Sequence, residues 1–320
     1  MYALALTGPT ASGKTAISLK LANMLDAEII CLDSMQIYKE MDIGTAKPTE
    51  EERCAVPHHL VDFLPFSENY NAEGYKADAL LAAEDIITRG RLPLFVGGTG
   101  LYADTLMSRG ANEAPESDRE YINSRLSEIK NENDVRGLWE RLFEVDPKSA
   151  AAIHQNNVKR VLRALEIYEK TGKTKTYFDE ASKQGEPAIK IGMITLDFHN
   201  RELLYKRVNE RVDAMVRAGL IEEVKALKER GLFDGDYTAA QAIGYKEIGE
   251  YLSGKVTKDE AIEALKLSTR RYAKRQITWF KHVSDAYRLY MDDGDGVLKG
   301  EDELISEAAR AAKNLLTKIK

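Results

Sequence analysis

The chain has 320 residues, of which 43% are hydrophobic and 31% are charged, and its formal net charge at pH 7 is −6. This balance is typical of a globular protein and argues against wholesale disorder and against a fibrous protein. No stretch approaches the roughly 20 apolar residues of a membrane-spanning helix, and the first residues lack the pattern of a signal peptide. Cys31 and Cys54 are too few for a disulfide framework or a zinc site. We therefore expect a cytoplasmic protein with no membrane partner.

Apolar runs alternate with helical patterns along the first hundred residues. Helices are predicted at 15–25 and 72–88. The runs predict buried strands at 2–6, 28–32, 59–64 and 94–96. Strands that alternate with helices indicate a parallel sheet with right-handed crossovers.

The pattern changes after about Arg109. Residues 116–182 are rich in Glu, Lys, Arg, Leu and Ala and contain no convincing strand. Strand signals return at 189–196 and 287–290, and amphipathic helices are predicted at about 200–230, 245–252, 258–283 and 301–318. The predicted fold class is α/β, with a parallel-sheet core at 1–112 and 188–320 and an inserted all-helical domain at 113–187.

A phosphate-binding motif follows the first predicted strand. Gly8-Pro9-Thr10-Ala11-Ser12-Gly13-Lys14-Thr15 matches G-x-x-x-x-G-K-[ST] between a strand and a helix. The glycines let the backbone curl so that its N–H groups point at phosphate oxygens, and the helix adds its dipole. Lys14 supplies a positive charge, and the Thr15 hydroxyl can bind Mg²⁺. The motif predicts a P-loop NTPase-like core and a polyphosphate ligand, without identifying the ligand or the bond that breaks.

Two further polar segments follow predicted strands, at the edge where open α/β sheets bind ligands. Asp33 could be a metal ligand or a general base, and the alternative is that it caps the next helix. The segment 97–100, Gly-Gly-Thr-Gly, could bring backbone N–H groups or the Thr99 hydroxyl to a ligand, or it could be a plain tight turn.

Two basic clusters are unexpected in an acidic protein. Lys159, Arg160 and Arg163 fall within one helical turn. The segment 270–281 has five cations and no acid, with aromatic residues between them. One side of this predicted helix carries Arg271, Lys274, Arg275 and Thr278. Cations with aromatic groups suit RNA phosphates and unstacked bases, although each cluster could be a solvated helix face.

Arg207 and Arg211 are separated by one helical turn. They could converge on one anion, but most such arginines are surface salt-bridge partners.

Taken together, the motifs resemble one family, the bacterial tRNA dimethylallyltransferases (IPP transferase family). The resemblance extends from Leu6 to about Lys281 and rests on GPTASGKT, DSMQIYKEMDIGTAKPT, PHHLVDF, GGTGLY, KRVLRALEIYEKTG, QAIGYKEI and TRRYAKRQITWF, in that order. It implies transfer of a dimethylallyl group from dimethylallyl diphosphate to N6 of adenosine 37 in tRNAs that read codons beginning with U. It also implies Mg²⁺ as cofactor, the tRNA anticodon stem-loop as partner, and a monomer.

The resemblance implies a set of site residues. Asp33 matches the general base, with Thr10 and Arg207 in the catalytic set, and Thr15 and Asp33 would hold Mg²⁺. The diphosphate-binding set is Gly8, Pro9, Thr10, Ala11, Ser12, Gly13, Lys14, Thr15 and Arg211, and the choice of diphosphate-binding arginine between Arg207 and Arg211 stays open. The predicted tRNA-binding residues are Asp33, Ser34, Met35, Gln36, Thr99, Lys159, Arg160, Val161, Leu162, Arg163, Gln241, Arg271, Lys274 and Arg275. Lys159 departs from the family pattern, which has Gln at that position.

We expect Asp33 to accept the N6 proton from an adenine that has left its stack, while the helical insertion and the basic helix clamp the stem-loop. Two enzymatic alternatives remain at this point. One is isopentenylation of a free adenine nucleotide; the other is a small-molecule kinase, for which Asp62 is a loose candidate for the second acid. A non-catalytic RNA-binding module is disfavoured by the well-formed phosphate loop.

Overall fold

The structure, a computed structural model, describes residues 1–109 and 114–319. The chain divides into two compact units, one combining Met1–Met107 with Ala188–Lys320 and the other being Ser108–Pro187. The predicted domain boundary at 112–113 lies outside the described residues.

A six-stranded parallel sheet forms the centre of the first unit. Its strands are β1 (Tyr2–Thr7), β2 (Ala27–Leu32), β3 (His58–His59), β4 (Leu92–Gly97), β5 (Lys190–Asp197) and β6 (Tyr287–Tyr290). They lie in the order β3-β2-β4-β1-β5-β6, so β2, β4 and β1 are neighbours. The predicted parallel α/β sheet is therefore confirmed.

The predicted third strand, 59–64, is wrong in its extent. Leu60 and Asp62 have φ angles of 55° and 58°, which lie outside the β region. The Asp62 carboxylate accepts hydrogen bonds from Lys47 Nζ at 2.7 Å and from Arg53 Nη1 at 3.0 Å. These ion pairs fix a turn where the apolar pattern alone suggested a longer strand.

Helices surround the sheet and make up most of the second unit. In chain order they are α1 (Lys14–Leu25), α2 (Glu50–Ala55), α3 (Ala72–Thr88), α4 (Gly100–Met107), α5 (Arg119–Glu128), α6 (Glu132–Val145), α7 (Pro147–Ala152), α8 (Val158–Thr171), α9 (Lys175–Ala181), α10 (Arg201–Arg217), α11 (Leu220–Glu229), α12 (Tyr245–Leu252), α13 (Lys258–Lys281) and α14 (Glu301–Ile319). None of the helices in the described residues is long and apolar enough to cross a membrane.

Local signals explain the helix boundaries. The Asn71 side chain accepts a hydrogen bond from Gly74 N–H at 2.7 Å and caps α3. Thr257 and Glu260 form a capping box at the start of α13. The single helix predicted at about 200–230 is two helices, because Gly219 has a φ of 104° and ends the first of them.

Both faces of the sheet are buried. Leu4 and Leu6 of β1 belong to a core cluster that includes residues of α1 and α14, whereas Ala3 and Ala5 belong to a cluster that includes residues of α3 and α4. Successive strand residues point to opposite faces, so helices cover the sheet on both sides. This arrangement leaves the carboxyl ends of the strands as the place for a site.

The second unit has its own small core. Leu142, Ile153 and Val161 pack together there, and the Trp139 indole N–H donates to the Ile153 carbonyl at 3.0 Å. The described residues of this unit contain helices and no strand, as the sequence pattern predicts.

Candidate active site

Three neighbouring strands bring the predicted site segments to one edge of the sheet. The phosphate loop follows β1, Asp33 follows β2 and Gly98 follows β4. The phosphate loop, Asp33 and Gly97 at the end of β4 border a cavity of about 790 Å³ within the first unit, to which α10, α13 and residues 241–244 also contribute. Thr10, Lys14, Thr15 and Asp33 all line this cavity, so the expected proximity of the carboxylate to the phosphate loop is confirmed.

The phosphate loop is shaped by its glycines. Gly8 has a φ of 146°, and a Cβ built on it would lie 2.9 Å from the Leu196 carbonyl oxygen, so no other residue fits. Gly13 has a φ of 92° and precedes α1 without a side chain that could cap it. The first N–H groups of α1 are therefore available to an anion.

The Lys14 side chain folds back onto the phosphate loop and bonds to its carbonyl oxygens. Its ammonium donates to the carbonyl oxygens of Gly8 at 3.0 Å and Pro9 at 2.8 Å. Burial is the largest effect on the Lys14 pKa, which it lowers to about 7 together with the positive charge of Arg211, while Asp33 opposes the shift. The lysine is thus poised to change its protonation state near neutral pH.

We expect proton uptake when pyrophosphate binds. An adjacent polyanion raises the pKa of Lys14, so a lysine that is largely neutral at about pH 8 becomes charged in the complex, whereas below about pH 6 it is charged already. Calorimetry in two buffers of different ionisation enthalpy measures the net proton exchange, which includes any proton that pyrophosphate releases. The uptake by Lys14 is therefore the difference from a variant that does not titrate, and it approaches about one proton at about pH 8. Lys14→Arg, which does not titrate in this range, is the control. Equal proton uptake by both proteins would contradict the assignment.

Asp33 organises the turn after β2. Its Oδ1 accepts hydrogen bonds from the N–H groups of Met35 at 2.9 Å and Gln36 at 3.4 Å. No helix begins here, so the helix-cap alternative is wrong and the bonds close a local Asx-type turn instead. Among the described residues, none donates a hydrogen bond to Oδ2 of Asp33. One oxygen therefore holds the turn while the other remains for chemistry.

The glycine turn after β4 braces this segment. The Thr99 hydroxyl accepts the Ser34 N–H at 3.0 Å. The N–H groups of Gly98 and Thr99 both donate to the Leu32 carbonyl at 3.1 Å, so these two N–H groups already have a partner within the protein. The turn thus supports the Asp33 segment through the Thr99 side chain.

Gln276 of α13 links two of these segments and was not predicted as a site residue. Its Oε1 accepts the Thr10 N–H at 2.8 Å, and its Nε2 donates to the Gly98 carbonyl at 2.9 Å. The residue is 5% exposed. A glutamine between the buried Ala273 and Ile277, on the apolar face of a helix, is the signal that could have identified it.

Glu223 was also missed and fixes the loop that lines the cavity beyond Asp33. Its carboxylate accepts the N–H groups of Asp42, Ile43 and Gly44 at 2.7–3.0 Å and the Tyr245 hydroxyl at 2.6 Å. A carboxylate that accepts several backbone N–H groups holds a loop strongly.

The next two residues of this loop hold Gln36. Its side-chain amide donates to the Thr45 and Ala46 carbonyls at 3.1 Å each. The predicted tRNA-contact residue Gln36 therefore has a structural role through its amide nitrogen.

The two candidate arginines of α10 have different surroundings. Arg207 donates from Nε to the Ala11 carbonyl at 2.9 Å and so holds the phosphate loop. Arg211 lies close enough to Lys14 and Asp33 to alter their electrostatics, and burial lowers its own pKa. Both line the cavity, and Arg211 is the one whose charge lowers the pKa of Lys14.

Helix α13 contains the predicted basic cluster, and its cations are exposed at the positions that the sequence spacing predicts. Arg271, Lys274 and Arg275 are exposed, whereas Ala273, Ile277 and other apolar residues are buried on the opposite face. Arg275 also lines the cavity, as do Tyr272 and Gln276. Gln241, another predicted contact residue, is exposed at the cavity.

The predicted segment 159–163 on α8 is only partly available for contact. Val161 and Leu162 are buried, so their side chains are not exposed for contact with RNA. Arg163 donates to the buried Glu166 carboxylate at 2.6 Å. The cations of this segment that remain available for contact are therefore the exposed Lys159 and Arg160.

The family model for IPP transferase matches residues 36–283, and the model for isopentenyl transferase matches residues 1–57. The chain belongs to the IPP transferase family. Two relatives named tRNA dimethylallyltransferase illustrate the match: that of Shouchella clausii is 46% identical over 299 residues (92% of this chain, 93% of that protein), and that of Bacillus velezensis is 47% identical over 279 residues (87% of each).

Solved structures of this family agree with the fold. The full-length tRNA isopentenylpyrophosphate transferase from Bacillus halodurans matches with a TM-score of 0.71 at 42% identity, over 99% of this chain and 97% of that one. A eukaryotic dimethylallyltransferase acting on tRNA matches with a TM-score of 0.73 at 29% identity, over 96% and 85% of the two chains. The P-loop-like α/β architecture and the family resemblance are both confirmed.

Proposed function

We propose that this protein transfers a dimethylallyl group from dimethylallyl diphosphate to N6 of adenosine 37 in tRNAs that read codons beginning with U, and releases diphosphate. The names of its relatives support dimethylallyl transfer to tRNA. The observation that carries the proposal is that Asp33 and the phosphate loop line one cavity of about 790 Å³. The relatives' names do not favour a free-nucleotide transferase or a kinase. We expect the protein to act as a monomer in the cytoplasm.

The cavity residues suit both the nucleophile and the leaving group of this reaction. The N6 lone pair of adenine is conjugated into the ring, so N6 is a weak nucleophile until its proton is removed. The C–O bond to diphosphate breaks as the N6–C bond forms, and Asp33 Oδ2 accepts the N6 proton. The loop N–H groups, Lys14 and Arg211 meet the charge that accumulates on the leaving diphosphate, so they stabilise the transition state more than the ground state.

The oxygen donors at the site fit Mg²⁺. The Thr15 hydroxyl is exposed at the first turn of α1 and lines the same cavity as Asp33. The described residues contain no group of three His, Cys, Asp or Glu side chains that could hold a metal alone. Mg²⁺ usually takes one or two protein oxygens together with phosphate oxygens and water. Thr15 and Asp33 would hold the ion, which would supply further positive charge to the diphosphate.

Each unit offers an exposed basic surface for tRNA. On α13 it consists of Arg271, Lys274 and Arg275, and on α8 of Lys159 and Arg160. The target adenine has to leave its stack to enter a cavity, and backbone contacts from such cations position the flanking nucleotides.

We expect Lys274→Ala and Arg160→Ala each to weaken tRNA binding and to reduce the slope of log K against log salt by about one, because each removes one phosphate contact. Titrations of an anticodon stem-loop at several salt concentrations measure the slope. Lys313→Ala, which removes an exposed cation of α14, is the matched control and should leave the slope unchanged. An unchanged slope in both test variants would exclude these surfaces.

A transfer assay tests the function directly. Dimethylallyl diphosphate labelled in its allyl group is incubated with unmodified tRNA, with AMP, and with neither acceptor, and ATP hydrolysis is followed in parallel. We expect label on tRNA only. Label on AMP would support the free-nucleotide alternative, and ATP hydrolysis without label transfer would support the kinase.

A further inference from the structure

We infer that Gln276 is a positioning residue that couples RNA binding on α13 to diphosphate binding in the phosphate loop, an inference that rests on the proposed function. Its carboxamide uses its acceptor for the Thr10 N–H and its donor for the Gly98 carbonyl, at 2.8 and 2.9 Å. One side chain of α13 thus fixes a residue of the phosphate loop and the turn after β4 at the same time.

The fit around the Gln276 amide is tight. A Cβ built on Gly98 would lie 2.1 Å from Gln276 Nε2 and 3.0 Å from the Gly8 carbonyl oxygen. A Cβ on Gly100 would lie 2.5 Å from the indole ring of Trp279, which also belongs to α13. The glycines of this turn therefore let α13 approach the sheet edge, and a larger residue at Gly98 would push the Gln276 amide aside.

The same helix carries the exposed cations on its other face. Lys274 and Arg275 come directly before Gln276 in the chain, and Arg271 lies about one turn earlier. A helix moves as a rigid element over such a short distance, so a displacement of α13 by bound RNA is passed to Gln276 and from there to Thr10. Loop geometry and RNA binding then influence each other, and this coupling is reciprocal.

The coupling predicts a measurable loss when the amide is removed. Gln276→Met keeps the length of the side chain and removes both hydrogen bonds. Because an ordinary hydrogen bond corresponds to roughly a tenfold change in an equilibrium constant, we expect pyrophosphate to bind about tenfold more weakly. We also expect the effect of an anticodon stem-loop on pyrophosphate affinity to disappear.

Gly98→Ala disturbs the contact between Gly98 and the Gln276 amide by changing the glycine instead of the glutamine. We expect it to weaken pyrophosphate binding by a similar factor, and the double variant Gly98→Ala with Gln276→Met to be no weaker than either single variant. Additive effects would multiply to about a hundredfold, so the comparison isolates the contact between these two residues. Ile277→Val and Gly300→Ala, at a neighbouring core position and an uncrowded glycine, are the controls and should bind normally.

Isothermal titration with pyrophosphate, with and without the stem-loop, gives all these values and requires no transfer reaction. Normal affinity with retained coupling in Gln276→Met, or multiplicative effects in the double variant, would overturn the inference. If Gln276→Met does not fold, Gly98→Ala decides, because it displaces the Gln276 amide without changing α13 or the charge of the site. It should show the same loss of affinity and coupling, and unchanged affinity with retained coupling would overturn the inference. If the titrations give the expected losses but the transfer assay fails, the proposed function alone is contradicted.

Discussion

Asp33→Asn is expected to lower kcat for transfer to tRNA by about 10²- to 10⁴-fold, the range typical of a lost general base. The substitution keeps an oxygen that can accept the Met35 and Gln36 N–H groups, so the turn after β2 should persist. It replaces the proton-accepting Oδ2 with an amide that cannot take a proton. The affinity for tRNA should therefore stay within about twofold. Single-turnover rates and direct tRNA titrations measure the two quantities separately.

Two other variants make this result specific. Asp33→Ala removes the turn's acceptor as well as the base, so it should add a loss of tRNA affinity to the loss of rate. Asp26→Asn changes a carboxylate at the opposite end of β2, where it pairs with Arg91, and should leave the rate unchanged. Equal losses of rate and tRNA affinity in Asp33→Asn would make Asp33 a positioning residue and would contradict its role as the base.

The sequence predicts the fold well wherever a local pattern decides the structure. Apart from Glu28, the runs at 2–6 and 28–32 are apolar because both faces of a parallel sheet are buried, and the strands lie there. The segment 59–64 has a similar composition, but Lys47 and Arg53 pull Asp62 into a turn. The two basic partners lie outside the segment, so the pattern of apolar residues within it does not reveal these ion pairs.

The same distinction separates the site residues that were predicted from those that were missed. The phosphate loop and Asp33 are recognisable because contiguous motifs contain them. Gln276 contacts a residue 266 positions away, and Glu223 binds N–H groups about 180 positions away. Their roles depend on how helices dock at the sheet edge, which a single sequence does not encode in any local window. The sequence leaves the diphosphate-binding arginine open between Arg207 and Arg211 for the same reason, because the choice depends on how α10 docks at the sheet edge.

Arg211→Gln is expected to reduce kcat by about 10²- to 10³-fold, as loss of a charged group at a developing anion typically does. Arg211 acts electrostatically on Lys14 and Asp33, so its charge is placed where the diphosphate leaves. Arg207→Gln should have a smaller effect, of about tenfold, because Arg207 Nε already donates to the Ala11 carbonyl and the residue acts chiefly by holding the phosphate loop. Rates at saturating dimethylallyl diphosphate and pyrophosphate affinities compare the two variants.

Thermal unfolding distinguishes the two roles further. Arg207 holds the phosphate loop, so Arg207→Gln should lower Tm, whereas Arg211→Gln should leave Tm unchanged or raise it, since it relieves the burial of a charge near Lys14. Arg217→Gln, at an exposed position near the end of the same helix, should change neither rate nor stability. A larger loss of rate in Arg207→Gln than in Arg211→Gln would reverse the assignment and make Arg207 the arginine that meets the leaving group.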